Sequence, residues 1–303
     1  MKQVYEIGFV SKQSFHKKVN RELAMNDIKE QLLILVRQIR ADHPGMSART
    51  MYYKIKPEGI GRDAFEALVY LHGYKLIAPR KFITTTDSTG VKRFPNLLVS
   101  IQLTFINQVW VSDISFYWIT DRFYYLTIIM DLYSRFIVGY YVSESLRTIH
   151  TTVPAIKCAL KTRGINQFNY KLILHSDGGG QYFCNSFLKL TQRSGIKNSM
   201  GKIVFDNSHA ERVIQTIKNQ YLINYNPKNF IELKKDFEKA IQKYNFDRPH
   251  SSLNRLTPYE FEQEINNKQV DECPPMKVFA SISTEMMNNK QKEKRSKKEK
   301  VYT

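Results

Sequence analysis

Cysteine is scarce in this sequence. Only Cys158, Cys184 and Cys273 occur in 303 residues, an odd, widely spaced set that argues against a disulfide framework or a Cys-rich zinc site and fits a reducing compartment. Long apolar runs are missing as well. The best candidates, Leu32 to Val36 and Leu126 to Met130, fall far short of the ~18 residues that a membrane span needs. The N-terminal stretch MKQVYEIGFVSKQSF lacks a continuous apolar segment and a small-residue cleavage site, so no secretory signal is expected. Internal repeats and sustained heptads are absent. Acidic side chains are the minority charge, 28 Asp and Glu against 46 Lys and Arg, giving a net charge of +18. What is plentiful is apolar material: 42% hydrophobic and 13% aromatic residues suffice for a buried core, at a length that suits about two domains.

The positive balance is not made by a tail. The run KQKEKRSKKEK from Lys290 to Lys300 contributes +5, and a net of +13 remains without it. Residues 1–108 carry +8 and residues 109–227 carry +6. A basic surface spread over several regions suits a long polyanion that touches much of the protein.

Helical periodicity marks Asn26–Ala41, with Asn26 as the expected N-cap and His43-Pro44-Gly45 as the stop. Ser47–Lys54 and Arg62–His72 read as two further helices, broken by Pro57, Gly59 and Gly73. Basic residues including Arg49 and Lys54 are interleaved, which is compatible with a helix-turn-helix module contacting DNA. Ala78–Asn96 reads as a linker. Strand texture follows in Gln108–Tyr117, Arg122–Asp131 and Arg135–Ser143, whose short connections predict antiparallel neighbours. Next come a helix over Thr148–Thr162, a strand over Tyr170–Leu174, a helix over Tyr182–Arg193, a short strand over Ile196–Ser199, and helices over His209–Tyr225 and Ile231–Tyr244. This order predicts an α/β fold with a mixed sheet.

In so basic a chain the placement of carboxylates is informative. Residues 109–227 hold only seven. Asp113 lies inside the apolar strand VWVSDISFYW, where a carboxylate is costly unless paired or bound to a metal. Asp177 ends a strand in LILHSDGGGQY, where α/β sheets place ligands and glycines permit close backbone approach. Glu211 opens a helix in FDNSHAERVIQTIK. Two strand positions and a helix start can converge at one sheet edge, and such oxygen ligands suit Mg²⁺. Two ions of this kind form a clamp for in-line phosphoryl transfer. Lys218, two helical turns after Glu211, shares its face and is placed to hold a DNA phosphate. His209, His175, Asn207, Arg248, His250 and Arg255 are weaker candidates. Asn207 is expected to cap the Glu211 helix, His175 to pack in the core, and Arg248, His250 and Arg255 to lie on DNA or orient the last helix. Exposed aromatics of the strands could stack on unpaired bases.

The runs WVSDIS, HSDGGGQY, DNSHAERVIQTIK and RPHSSLNRLTPYEF occur in the order found in DDE transposases of the retroviral-integrase type, and the chain most resembles OrfB-type insertion-sequence transposases over Gln108 to Phe261. The resemblance implies a ribonuclease-H-like core with Asp113, Asp177 and Glu211 as the metal-holding catalytic triad. It matches Lys218 to a basic residue seven positions after the family's Glu. It implies nicking of element ends and strand transfer of the released 3′-hydroxyl, with two Mg²⁺ ions and Mn²⁺ able to substitute. The interval between Asp177 and Glu211, 33 residues, is shorter than the family's usual one. The implied partners are double-stranded DNA, both element ends and target, further copies of the chain on that DNA, and an upstream-frame protein, fused or associated. The implied setting is prokaryotic, cytoplasmic and nucleoid-associated, without a membrane. The expected domains are a helical DNA-binding region and linker (1–95), the catalytic core with C-terminal helices (96–264) and a basic disordered tail (265–303). Two rival readings are a structure-specific nuclease on the same core and a catalytically inactive DNA-binding remnant.

Overall fold

The computed structural model describes residues 11–76, 94–99, 101–169, 171–201 and 207–278. Most of the expected 78–96 linker, residues 202–206 and the basic run after Lys290 lie outside this set. The chain divides into two compact units, Met1–Lys81 and Phe82–Thr303, and the division falls within the expected linker. No helix among the described residues is long and apolar enough to cross a membrane.

The first unit is three helices. Helix α1 spans Lys12–Asp42, α2 spans Ala48–Ile55 and α3 spans Arg62–Leu71. The expected start of α1 at Asn26 is corrected. The helix begins fourteen residues earlier, capped by Ser11, whose hydroxyl accepts from the Ser14 N–H at 3.1 Å. The segment before Asn26 carries only Phe15, Val19 and Leu23 at helical spacing, none of them buried, and it is free of Gly and Pro. Apolar periodicity marks only the buried half of α1, where Leu32, Leu33 and Val36 pack with Met51 of α2 and with Phe65, Leu68 and Val69 of α3. Ser47 caps α2 as expected, accepting from Thr50 N–H at 3.2 Å. Arg40 closes the unit by donating to the carbonyls of Pro44, Met46 and Tyr74 at 2.7–3.1 Å.

The second unit is built on a five-stranded mixed sheet. Its strands are β2 (Val109–Ile119), β3 (Arg122–Asp131), β4 (Ile137–Ser143), β5 (Leu172–Ser176) and β6 (Ile196–Met200), in the order β4-β3-β2-β5-β6. The first three pair antiparallel, and β2, β5 and β6 pair parallel. Alternation along β2 sends Trp110 to one face, with α4 (Thr152–Arg163) and α5 (Asn185–Arg193). It sends Val109 and Val111 to the other, with α6 (Ser208–Ile217), α7 (Phe230–Phe246) and α8 (Pro258–Asn266). Asp113 has the same parity as Val111 and so shares the α6 side. Gly139 of β4 lets α4 lie close, because a Cβ there would strike the Ala155 carbonyl and the Ala159 side chain. This mixed sheet with helices on both faces is a ribonuclease-H-like core.

Two expectations are corrected here. The helix expected over His209–Tyr225 is not uniform: α6 gives way at Lys218–Leu222 to a wider π turn before a last turn at Ile223–Tyr225. The chain also stays packed beyond residue 264. That boundary falls inside α8, whose Thr257–Glu260 capping box and Pro258 start it. Cys273 is buried in the core, Tyr133 donates its hydroxyl to the Pro274 carbonyl at 2.9 Å, and β7 (Met276–Lys277) pairs with β1 (Gln102–Leu103). Ile265 and Cys273 supply apolar anchors that a tail would not have. An ionic cluster fastens α8 inward: Arg163 holds Glu262 through both terminal nitrogens at 2.6 and 2.7 Å and reaches Asp131 at 3.5 Å.

Candidate active site

The parallel pairing of β2 with β5 covers only Val109–Val111, so β2 runs on past its neighbour. Asp113 lies just beyond the paired stretch, and Asp177 directly follows β5. Glu211 stands in the first turn of α6. These positions bring three carboxylates into mutual electrostatic reach. Burial, followed by repulsion from Asp177 and Glu211, pushes the Asp113 carboxyl up to about 7. Burial raises Asp177, against a stabilising hydrogen bond from the Gly179 N–H. Burial and the Asp177 charge raise Glu211. Among the described residues, no group of three or more His, Cys, Asp or Glu side chains is gathered closely enough to hold a metal ion. The triad is therefore coupled but spread.

Neighbouring groups fix this end of the sheet. The Gly179 N–H donates to Asp177 Oδ1 at 3.1 Å, and a Cβ at Gly179 would crowd that oxygen. Of the glycines expected to allow close approach, Gly179 does so, whereas at Gly180 a Cβ would meet open space. The Ile114 N–H donates to Asp113 Oδ1 at 2.9 Å. Asn207 occupies the N-cap position of α6 without a side-chain cap bond. Its buried amide instead donates to the Ser112 carbonyl at 3.0 Å, beside Asp113. Ser112 Oγ and the buried Tyr182 hydroxyl are 2.9 Å apart. Sequence reasoning assigned no role to Ser112 or Tyr182. Tyr182 closes the HSDGGGQY run, which was the available signal; an isolated serine in a strand gives none.

Lys218 reaches the same strand from the start of the π turn. Its Nζ donates to Ser115 Oγ at 2.9 Å and to the Phe116 carbonyl at 2.8 Å. Burial lowers its pKa while the Asp113 charge raises it. The remaining candidates have settings of their own. Arg49 and Lys54 belong to α2, in the helical unit, and Arg49 pairs with Glu66 at 2.7 Å. Arg248 donates to Gln220 Oε1 at 3.1 Å and lies over the Tyr244 ring. His250 turns onto Tyr244 and accepts from Ser252. Burial and the neighbouring Arg248 push His250 down to about 3, so it is a neutral imidazole. His209 contacts Arg135 at 3.1 Å, and His175 is fully buried beside Ser199 Oγ at 2.9 Å.

A mixed ribonuclease-H-like sheet with one carboxylate within β2, one directly after β5 and one in the first turn of α6 defines a polynucleotidyl-transferase class of core. The comparisons agree. One integrase core domain model matches residues 106–203 and a second matches residues 196–258. An uncharacterized 31 kDa protein of insertion element IS600 from Shigella sonnei is 30% identical over 267 residues, covering 85% of this chain and 96% of its own. The transposase for insertion sequence element IS904 from Lactococcus lactis subsp. lactis is 28% identical, covering 56% of this chain and 67% of its own. Transposase InsF for insertion sequence IS3fB from Escherichia coli is 27% identical, covering 52% and 54%. The chain belongs to the integrase-core family of insertion-sequence transposases.

Proposed function

We propose that this transposase cuts DNA at the ends of its element and joins the freed 3′-hydroxyl to target DNA, with Asp113, Asp177 and Glu211 as the catalytic carboxylates. The observation that carries this reading is their placement within β2, directly after the neighbouring strand β5, and in the first turn of α6. The donor set fits a hard divalent cation. It is all carboxylate oxygen, and each carboxyl holds its proton more tightly than a free one. That excess of negative charge in a partly dry place favours a cation. Two Mg²⁺ ions bound there would offset charge on the attacking and leaving oxygens of an in-line displacement.

The chain's own groups do the positioning. The Gly179 N–H orients the Asp177 carboxylate, and Asn207 and Tyr182 hold Ser112 and thereby the strand that carries Asp113. Lys218, anchored on β2 beside Asp113, supplies a cation for a DNA phosphate. Arg49, Lys54, Arg248 and His250 are also assigned to DNA, His250 through the turn it caps. Several copies of the chain acting on the two element ends complete the reading. A substrate with a labelled 3′ end separates the activities: strand-transfer products support transposition, and hydrolysis alone supports a nuclease on the same core. Mg²⁺ titration followed by melting temperature tests the metal set without catalysis. The wild type is expected to be stabilised by the ion and Asp113→Asn is not.

A further inference from the structure

Phe116, Trp118 and Phe123 form an aromatic cluster at the far end of the β2–β3 hairpin, and the cutting chemistry does not use it. Strand register sets Trp118 directly across from Phe123. Their ring centroids are 4.6 Å apart, and those of Phe116 and Phe123 are 5.4 Å apart, both edge-on. Rings of this size usually enter a core, yet Trp118 is 54% and Phe123 48% exposed.

The surroundings define what would cover them. Lys218 Nζ lies 5.8 Å from the Phe116 ring centroid while anchored on the Phe116 carbonyl. Cation and aromatic faces are thus interleaved, as in surfaces that bind single strands. The cluster lies on the strand that carries Asp113 but on its opposite face, since Phe116 and Trp118 share the parity of Trp110. Phe116 and Trp118 stand three and five residues beyond Asp113 on one strand, about 10 and 17 Å at the usual rise. Lys218 sits at the edge between the strand face of Asp113 and that of the rings. A phosphate held at Lys218 would leave a neighbouring base within reach of the Phe116 ring.

We propose that Phe116, Trp118 and Phe123 are a stacking platform for unpaired bases of the DNA strand next to the cut. Stacking tolerates any base, so the platform would hold a frayed end without reading its sequence. The proposal rests on the reading of Asp113 as part of the cutting centre, and a binding assay separates the two.

Trp110 and Trp118 are the two tryptophans of the chain, and Trp110 is fully buried. Emission quenched by a stacked base therefore belongs to Trp118. The full chain is titrated with an oligothymidylate of about 16 nucleotides and with a blunt duplex of the same length. Quenching is expected with the single strand. Trp118→Ala is expected to bind it about tenfold more weakly, and Trp118→Phe to keep the affinity while losing the signal. Duplex affinity stays within about twofold in both variants. Phe123→Leu, which keeps apolar bulk, is expected to weaken single-strand binding as well. Unchanged single-strand affinity in both Trp118→Ala and Phe123→Leu overturns the proposal. A smaller sedimenting species in Trp118→Ala with that affinity intact overturns it too, and assigns the patch to contact between copies. Asp113→Asn should still show the quench. If it also still cuts DNA, the cutting-centre reading fails while the platform stands.

Discussion

Replacing Asp113 by Asn should make the protein more stable at high pH while removing its activity. A free aspartate titrates near 3.8, and Asp113 in the folded chain titrates at about 7. Each tenfold of that difference is worth about 1.4 kcal/mol, so an ionised Asp113 costs the fold at most about 4 kcal/mol. The side chain keeps partial solvent contact, and the repulsion is shared with Asp177 and Glu211, so about 2 kcal/mol is the expected size. The folded state binds this proton more tightly than the unfolded chain. Stability is therefore highest below the unfolded value of 3.8, falls as pH rises toward about 7, and levels above it. The raised Asp177 and Glu211 carboxyls push in the same direction. Urea unfolding followed by tryptophan emission suits the measurement, since both tryptophans lie in the sheet. Asp113→Asn should exceed the wild type by about 2 kcal/mol near pH 8 and match it within about 0.5 kcal/mol near pH 4. A variant less stable than wild type near pH 8, or a difference independent of pH, would refute the electrostatic reasoning.

Lys218→Met should weaken DNA binding and reduce the slope of log affinity against log salt by about 1, as expected for one lost phosphate contact; an unchanged slope removes Lys218 from the interface. Arg163→Ala strands the buried Asp131 and Glu262 carboxylates and should cost about 3–5 kcal/mol in urea unfolding. Gly139→Ala drives a methyl into the backbone of α4 and should cost about 1–3 kcal/mol by the same assay.

The sequence was most readable where local pattern and tertiary demand agree. Strand β3 was expected over Arg122–Asp131 and is found there, because its apolar run is buried almost throughout. Asp113 and Asp177 stood out because a carboxylate in an apolar strand or beside glycines conflicts with its setting unless it has work to do, whereas Glu211, favoured in a first helical turn in any case, gained weight only from the resemblance. The misses have separate causes. The first half of α1 offers only a thin line of Phe15, Val19 and Leu23 among charged residues, none of them buried, so its pattern was weak. Asn207 looks like a helix cap, but its amide serves a β2 carbonyl distant in sequence. The π turn at Lys218–Leu222, where Lys218 donates to the Phe116 carbonyl of β2, leaves no trace in residue spacing. The docked segment around Cys273 was hidden by a composition that reads as polar tail, with its anchoring partners Tyr133 and β1 far upstream.

The central claim is tested most directly by one comparison of cleavage with binding. Duplex DNA carrying the element's end is incubated with Mg²⁺ and wild type, Asp113→Asn, Asp177→Asn or Glu211→Gln, and each protein's affinity for that DNA is measured alongside. Each substitution is expected to abolish both end nicking and strand transfer while leaving DNA affinity largely intact. Wild-type cleavage by any one of the three proteins would contradict the assignment of that carboxylate to the catalytic centre.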